Sequence, residues 1–152
     1  MLGSFTHIYT KRIDTIAASG SVEVTDTVLE GNKYDFYIDG IIITIGTISD
    51  PYSLLITFTL LEPESPLNLL TNFPYSNRGT RNNPNYIAFT KATDVPLPLL
   101  HRNNKFYLKL ENFDTGSAVG KIAITIHGYP VISEEKKAIR WLYTIQTQEE
   151  KR

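Results

Sequence analysis

Residues 53–61 read Ser53-Leu54-Leu55-Ile56-Thr57-Phe58-Thr59-Leu60-Leu61, and this stretch decides the fold class. Leu54, Ile56, Phe58 and Leu60 recur at every second position, with Thr57 and Thr59 between them. A period of two is the pattern of a β-strand that buries one face. Leu55 and Leu61 share the threonine side, so part of this strand is expected to be covered on both faces.

The same period runs outward in both directions. Upstream, Tyr34, Phe36 and Ile38 share one face, with Asp35 and Asp39 on the other, and Val22 and Val24 alternate with polar residues. Gly40 interrupts, and Ile41, Ile43 and Ile45 resume the alternation shifted by one residue. A glycine at such a phase change predicts a bulge or a sharp bend. Downstream, residues 86–90 read as a short strand. Phe106, Leu108 and Leu110 form one inward row and Ile122, Ile124 and Ile126 another. The link between these two, residues 112–117, is rich in turn formers, which predicts that they pair as an antiparallel hairpin. The eight prolines fall between the alternating runs. The pattern predicts an all-β, antiparallel β-sandwich of about eight strands. Its core is expected to hold Phe36, Ile38, Leu54, Ile56, Phe58, Leu108, Leu110, Ile122, Ile124 and Ile126.

Three parts are expected along the chain: an N-terminal arm over residues 1–12, the sandwich over 13–132, and a C-terminal tail over 133–152. The tail opens like a helix, with Ser133 as N-cap, Glu134 and Glu135 in the first turn and Lys136 and Lys137 after them. Residues 143–147 nevertheless alternate like a strand, and 148–152 are expected to be disordered. Residues 72–85 form the longest stretch without periodicity, and long loops of that kind tend to be functional.

A chain of 152 residues is one domain's worth and can bury a core without staples. Lys plus Arg number 15 and Asp plus Glu 16. A near-neutral chain with no dense basic run has no general attraction to nucleic acid or to an anionic membrane, so neither is an expected partner. Cysteine is absent, which removes disulfides, thiolate metal sites and thiol nucleophiles. The start lacks a basic segment followed by an apolar one, and no apolar run approaches the ~18 residues that span a bilayer. The chain reads as made in the cytoplasm, soluble and unprocessed.

Signs of chemistry are sparse. His7, His101 and His127 lie far apart in sequence, without zinc-type spacing, and each reads as a surface residue. There is no Gly-rich phosphate loop and no Gly-x-Ser-x-Gly elbow. Asp35 and Asp39 read better as an exposed polar face than as a catalytic pair. The sequence reading is therefore of a chain that is no enzyme and carries no cofactor or metal. Most of the nine tyrosines read as ordinary strand aromatics at sheet rims, but a tyrosine also offers a large rigid area with a polar tip that suits contact with a protein or a sugar. Tyr52, Tyr75 and Tyr86 lie at or near loops, and the Phe73-Pro74-Tyr75 stretch is the best candidate among them.

The order of features resembles a small jelly-roll found in structural proteins of tailed-bacteriophage virions. The residues that carry the likeness are 29–36, with Tyr34-Asp35-Phe36 opening a strand; the long strand 54–60; the loop 68–74; the Val95-to-Asn104 segment before Leu108-Lys109-Leu110-Glu111-Asn112; and Ile124-Thr125-Ile126-His127-Gly128-Tyr129 as a closing strand. The likeness covers residues 20 to 130. It implies a virion component, in the head, the connector or the tail, that binds copies of itself and partners such as the major capsid protein or tail and connector proteins. The expected contact residues are Phe5, Ile8, Tyr9, Phe73, Tyr75, Arg78, Arg81, Ile139, Trp141, Leu142 and Tyr143. The alternative reading is a carbohydrate-binding β-sandwich module.

Overall fold

The structure is a computed structural model that describes residues 6–28, 35–62, 66–75, 84–89 and 97–131. They form β1 (Thr6–Ile16), β2 (Ser21–Thr27), β3 (Asp35–Thr47), β4 (Leu54–Leu61), β5 (Leu67–Pro74), β6 (Asn85–Ala88), β7 (Leu99–Leu100), β8 (Lys105–Asn112) and β9 (Val119–Val131). One 3₁₀ turn, Pro51–Ser53, precedes β4. Asp50 caps it, accepting hydrogen bonds from the Tyr52 N–H at 3.1 Å and the Ser53 hydroxyl at 2.7 Å.

The pairing is nested. β1 pairs with β9, β2 with β8, β3 with β6 and β4 with β5, all antiparallel. A chain paired in this way is one long hairpin rolled across two sheets, which is the jelly-roll arrangement. β9 also pairs with β3, and β8 with β4. One sheet therefore runs β1-β9-β3-β6, with the two-residue β7 also on β3, and the other runs β2-β8-β4-β5. All ten residues expected in the core are buried between these sheets. Burial of such an apolar layer is the main favourable contribution to folding.

Sequence and structure differ at two places in this frame. The expected hairpin between residues 105–111 and 121–127 does not form. β8 has β2 and β4 on its two edges and β9 has β1 and β3, so neither keeps an edge for the other. The turn-forming residues between them carry the chain from one sheet to the other. The second difference concerns residues 6–12, expected in an arm. They belong to β1, and Ile8 is fully buried in the core beside Ile13 and Ile16. A register shift between His7 and Tyr9 breaks the period of two there, and so hides the strand from a reading based on alternation. The tail over 133–152 lies outside the described residues.

Two glycines set the register of the larger sheet. The phase change at Gly40 is a bulge, with the β3–β9 register shifting between Ile38 and Gly40. A methyl group on Gly40 would stand 2.6 Å from the Ile87 carbonyl oxygen, and one on Gly128 would stand 2.3 Å from the Tyr37 carbonyl oxygen. Both neighbours are backbone, which cannot swing aside. Gly128→Ala is therefore expected to destabilise by about 1–3 kcal/mol. Gly116→Ala is the control, since its methyl would meet only Asp114 Oδ1 at 3.7 Å and should cost far less. Phe58, buried against Phe106 and Phe89 at ring separations of 5.7 Å, should cost about 3–5 kcal/mol when cut to alanine. Urea unfolding of the three variants checks this ranking.

Candidate contact surfaces

The expected contact residues fall into four groups. Ile8 and Tyr75 are fully buried in the chain's own core. The Tyr75 N–H donates to the Leu54 carbonyl at 2.8 Å and its hydroxyl donates to the Ile43 carbonyl at 3.3 Å. That side chain thus ties the end of β5 to the opposite sheet. Tyr9 packs edge-on against Phe106 at 4.7 Å. Phe73 is 39% exposed on β5. Phe5, Arg78, Arg81, Ile139, Trp141, Leu142 and Tyr143 lie outside the described residues.

Exposed apolar area gathers on one sheet. Among the described residues, the large exposed apolar ones are Tyr52 at 64%, Phe113 at 56%, Leu67 at 46%, Tyr86 and Phe73. All but Tyr86 belong to the β2-β8-β4-β5 sheet or to the turns that enter and leave it. Leu67 and Phe73 sit on β5, an outer strand whose sequence, Leu67-Asn68-Leu69-Leu70-Thr71-Asn72-Phe73-Pro74, has no charge. The other long edge strands are charged: β1 carries Lys11, Arg12 and Asp14, and β2 carries Glu23 and Asp26. Charge on an edge is one device that discourages strand addition, and β5 lacks it. β5 is also bent, with register shifts on both sides of Phe58 and Asn72 in the left-handed region at φ 47°. Leu67 and Phe113 are not among the contact residues expected from sequence, yet both are exposed. The readable signal at Phe113 is an aromatic residue within a turn-forming segment.

Two polar clusters mark the other sheet. The Tyr86 hydroxyl donates to Asp39 at 2.6 Å, and its ring lies over Gly40 and 6.4 Å from the His127 ring. His127 is on the outer side of β9, as its phase predicts, yet it is buried rather than exposed, with Tyr86 lying beside it. At the far end of β3, Asp35 accepts a hydrogen bond from the Arg102 N–H at 2.9 Å and stands 3.4 Å from His101 Nδ1. His101 itself is on the surface, as expected. Among the described residues no three His, Asp or Glu side chains converge on a metal position, and no helix is long and apolar enough to cross a membrane.

No protein-family model matches the chain, and no curated protein matches it. Solved structures do. A serine protease of Aeromonas sobria matches over 86% of this chain and 28% of its own, at 9% identity and a TM-score of 0.45. The VP2 subviral particle of infectious bursal disease virus matches over 84% of this chain and 39% of its own, at 12% identity and a TM-score of 0.30. The Gx strain of the same virus matches over 84% and 38%, at 14% identity and a TM-score of 0.31. The chain thus spans well under half the length of each. A serine protease among the matched structures overturns the reading of the chain as no enzyme, without showing any activity in it. The likeness is of fold alone and carries no catalytic residue over.

The buried phenols predict an alkaline limit to stability. Burial, with the nearby charge of Asp26, pushes Tyr9 from the ordinary 10.0 up to about 12, and burial pushes Tyr75 up as well. Folded chains keep these protons at a pH where unfolded chains have lost them. The contribution is whole below pH 10.0 and is lost as pH climbs through the folded values. Stability should therefore fall from about pH 10 upward. Tyr75→Phe should cost about 0.5–1.5 kcal/mol through the lost hydrogen bond and should flatten the alkaline slope. Urea midpoints between about pH 8 and 11 measure both effects.

Proposed function

We propose that this chain is a structural protein of a virion, specifically of a tailed bacteriophage, that assembles with copies of itself and with a capsid, connector or tail partner. The observation that carries the reading is β5, a long, uncharged outer strand with Leu67 and Phe73 exposed. An edge with unpaired backbone groups and apolar side chains suits contact with a second chain. The nested topology adds support, since jelly-rolls are common building blocks of capsids, and so does the sequence resemblance over residues 20 to 130. The near-neutral charge favours assembly through apolar contact, and closed rings or lattices of identical copies are the usual result. In this reading the protein is made in the host cytoplasm and ends in the particle. In this reading Phe5, Arg78, Arg81, Ile139, Trp141, Leu142 and Tyr143 extend the contact to neighbours.

Sedimentation velocity of the full chain over a range of concentrations tests the proposal. The wild type is expected to form a defined oligomer, and Leu67→Lys with Phe73→Lys to shift it to monomer with unchanged far-UV circular dichroism. Removal of residues 134–152 is expected to weaken assembly while the sandwich stays folded. A wild type that is monomeric throughout, or a double variant that assembles as before, would overturn the assignment to β5.

A further inference from the structure

One end of the sandwich carries a cleft of about 360 Å³, a volume within the range of small-molecule sites. Ser19 and Ser21 line it from the β1–β2 turn, Lys109 and Glu111 from the end of β8, and Phe113 and Thr115 from the crossing to β9. Its base is tied together across two loops. The Ser19 N–H donates to the Asp114 carbonyl at 2.9 Å and the Asn112 N–H to the Gly20 carbonyl at 2.8 Å. The buried Asn112 side chain donates to the Ala17 carbonyl at 3.2 Å and the Ser117 carbonyl at 2.9 Å, and accepts from the Asp114 N–H at 3.0 Å. Asp114 in turn accepts from the N–H groups of Gly116 and Ser117. A cleft held this way needs little ordering when a ligand enters.

The lining narrows the ligand's chemistry. Lys109 and Glu111 are ion-paired, so the lining has no net charge. An anion would face Glu111 and a cation would face Lys109. A wholly apolar ligand would strip water from the pair and from three hydroxyl groups without replacing their hydrogen bonds. At the rim, the Phe113 ring is 56% exposed, an apolar face that gains by being covered. The matching ligand is neutral, rich in hydroxyls and apolar on one side. We infer that this cleft binds a neutral pyranose unit of a carbohydrate, with the C–H face of the sugar on the Phe113 ring and its hydroxyls on Lys109, Glu111 and the Ser and Thr hydroxyls. The inference does not rest on the assembly reading: a monomer can hold a sugar, and an assembled chain can lack one.

Saturation-transfer NMR on the full chain tests it, with the methyl glycosides of glucose, galactose, mannose and N-acetylglucosamine as probes. At least one should receive saturation on its ring C–H protons, with a dissociation constant on the order of 1 mM for so few contacts. Phe113→Ala should weaken the transfer at least tenfold with unchanged circular dichroism, and Phe113→Trp should keep or strengthen it. Glu111→Gln should weaken it with the ring intact, and Leu67→Lys with Phe73→Lys should leave it unchanged. No transfer to any of the four probes, or equal transfer from Phe113→Ala and wild type, would overturn the inference.

Discussion

The close approach of β9 to β3 at Gly128 is the constraint on which the sandwich depends. β3 must place Phe36 and Ile38 inside, then Ile41, Ile43 and Ile45 inside as well. Those two sets are out of phase in sequence by one residue. The bulge between Ile38 and Gly40 absorbs that residue, and it does so against β9, where Ile38 lies opposite Gly128 and Gly40 opposite His127. A one-residue slip elsewhere would turn a whole row of isoleucines to water. With β3 and β9 locked, β1 and β6 have defined edges to join, and the second sheet has a floor to pack on.

The inward rows were legible because burial on one face of a strand imposes a period of two, and nothing competes with it at residues 54–60, 106–110 and 122–126. The phase change at Gly40 was legible for the same reason. Partner choice was not. The residues at 112–117 form turns equally well within a sheet or across two, and only the occupied edges of β8 and β9 decide between these. β1 was illegible because its bulge falls beside the two residues, Ile8 and Tyr9, that would have shown its phase. Tyr75 stands beside a loop, the sequence context of a surface group. Its burial depends on the Ile43 carbonyl, 32 residues away.

The contact surfaces followed the same division. Phe73 was readable, since it stands in a stretch with no strong strand pattern. The charge contrast between β5 and the other long edges could be counted in the sequence, but only once the topology showed which strands lie at the edge. The end cleft was not readable, because it joins residues 19–21 to 109–115 through the carboxamide of one buried asparagine. Contacts of such sequence separation also make folding slow relative to helical domains of the same size, since distant segments must meet before burial stabilises them.

The nested pairing has a topological consequence. Thr6 lies opposite Gly128, and Val131 follows three residues later on the same strand. The described chain therefore enters and leaves the sandwich on adjacent strands of one sheet. A domain whose ends are neighbours can be spliced into a loop of another protein, or reopened at a surface turn with the old ends joined by a short linker, without disturbing its strand order.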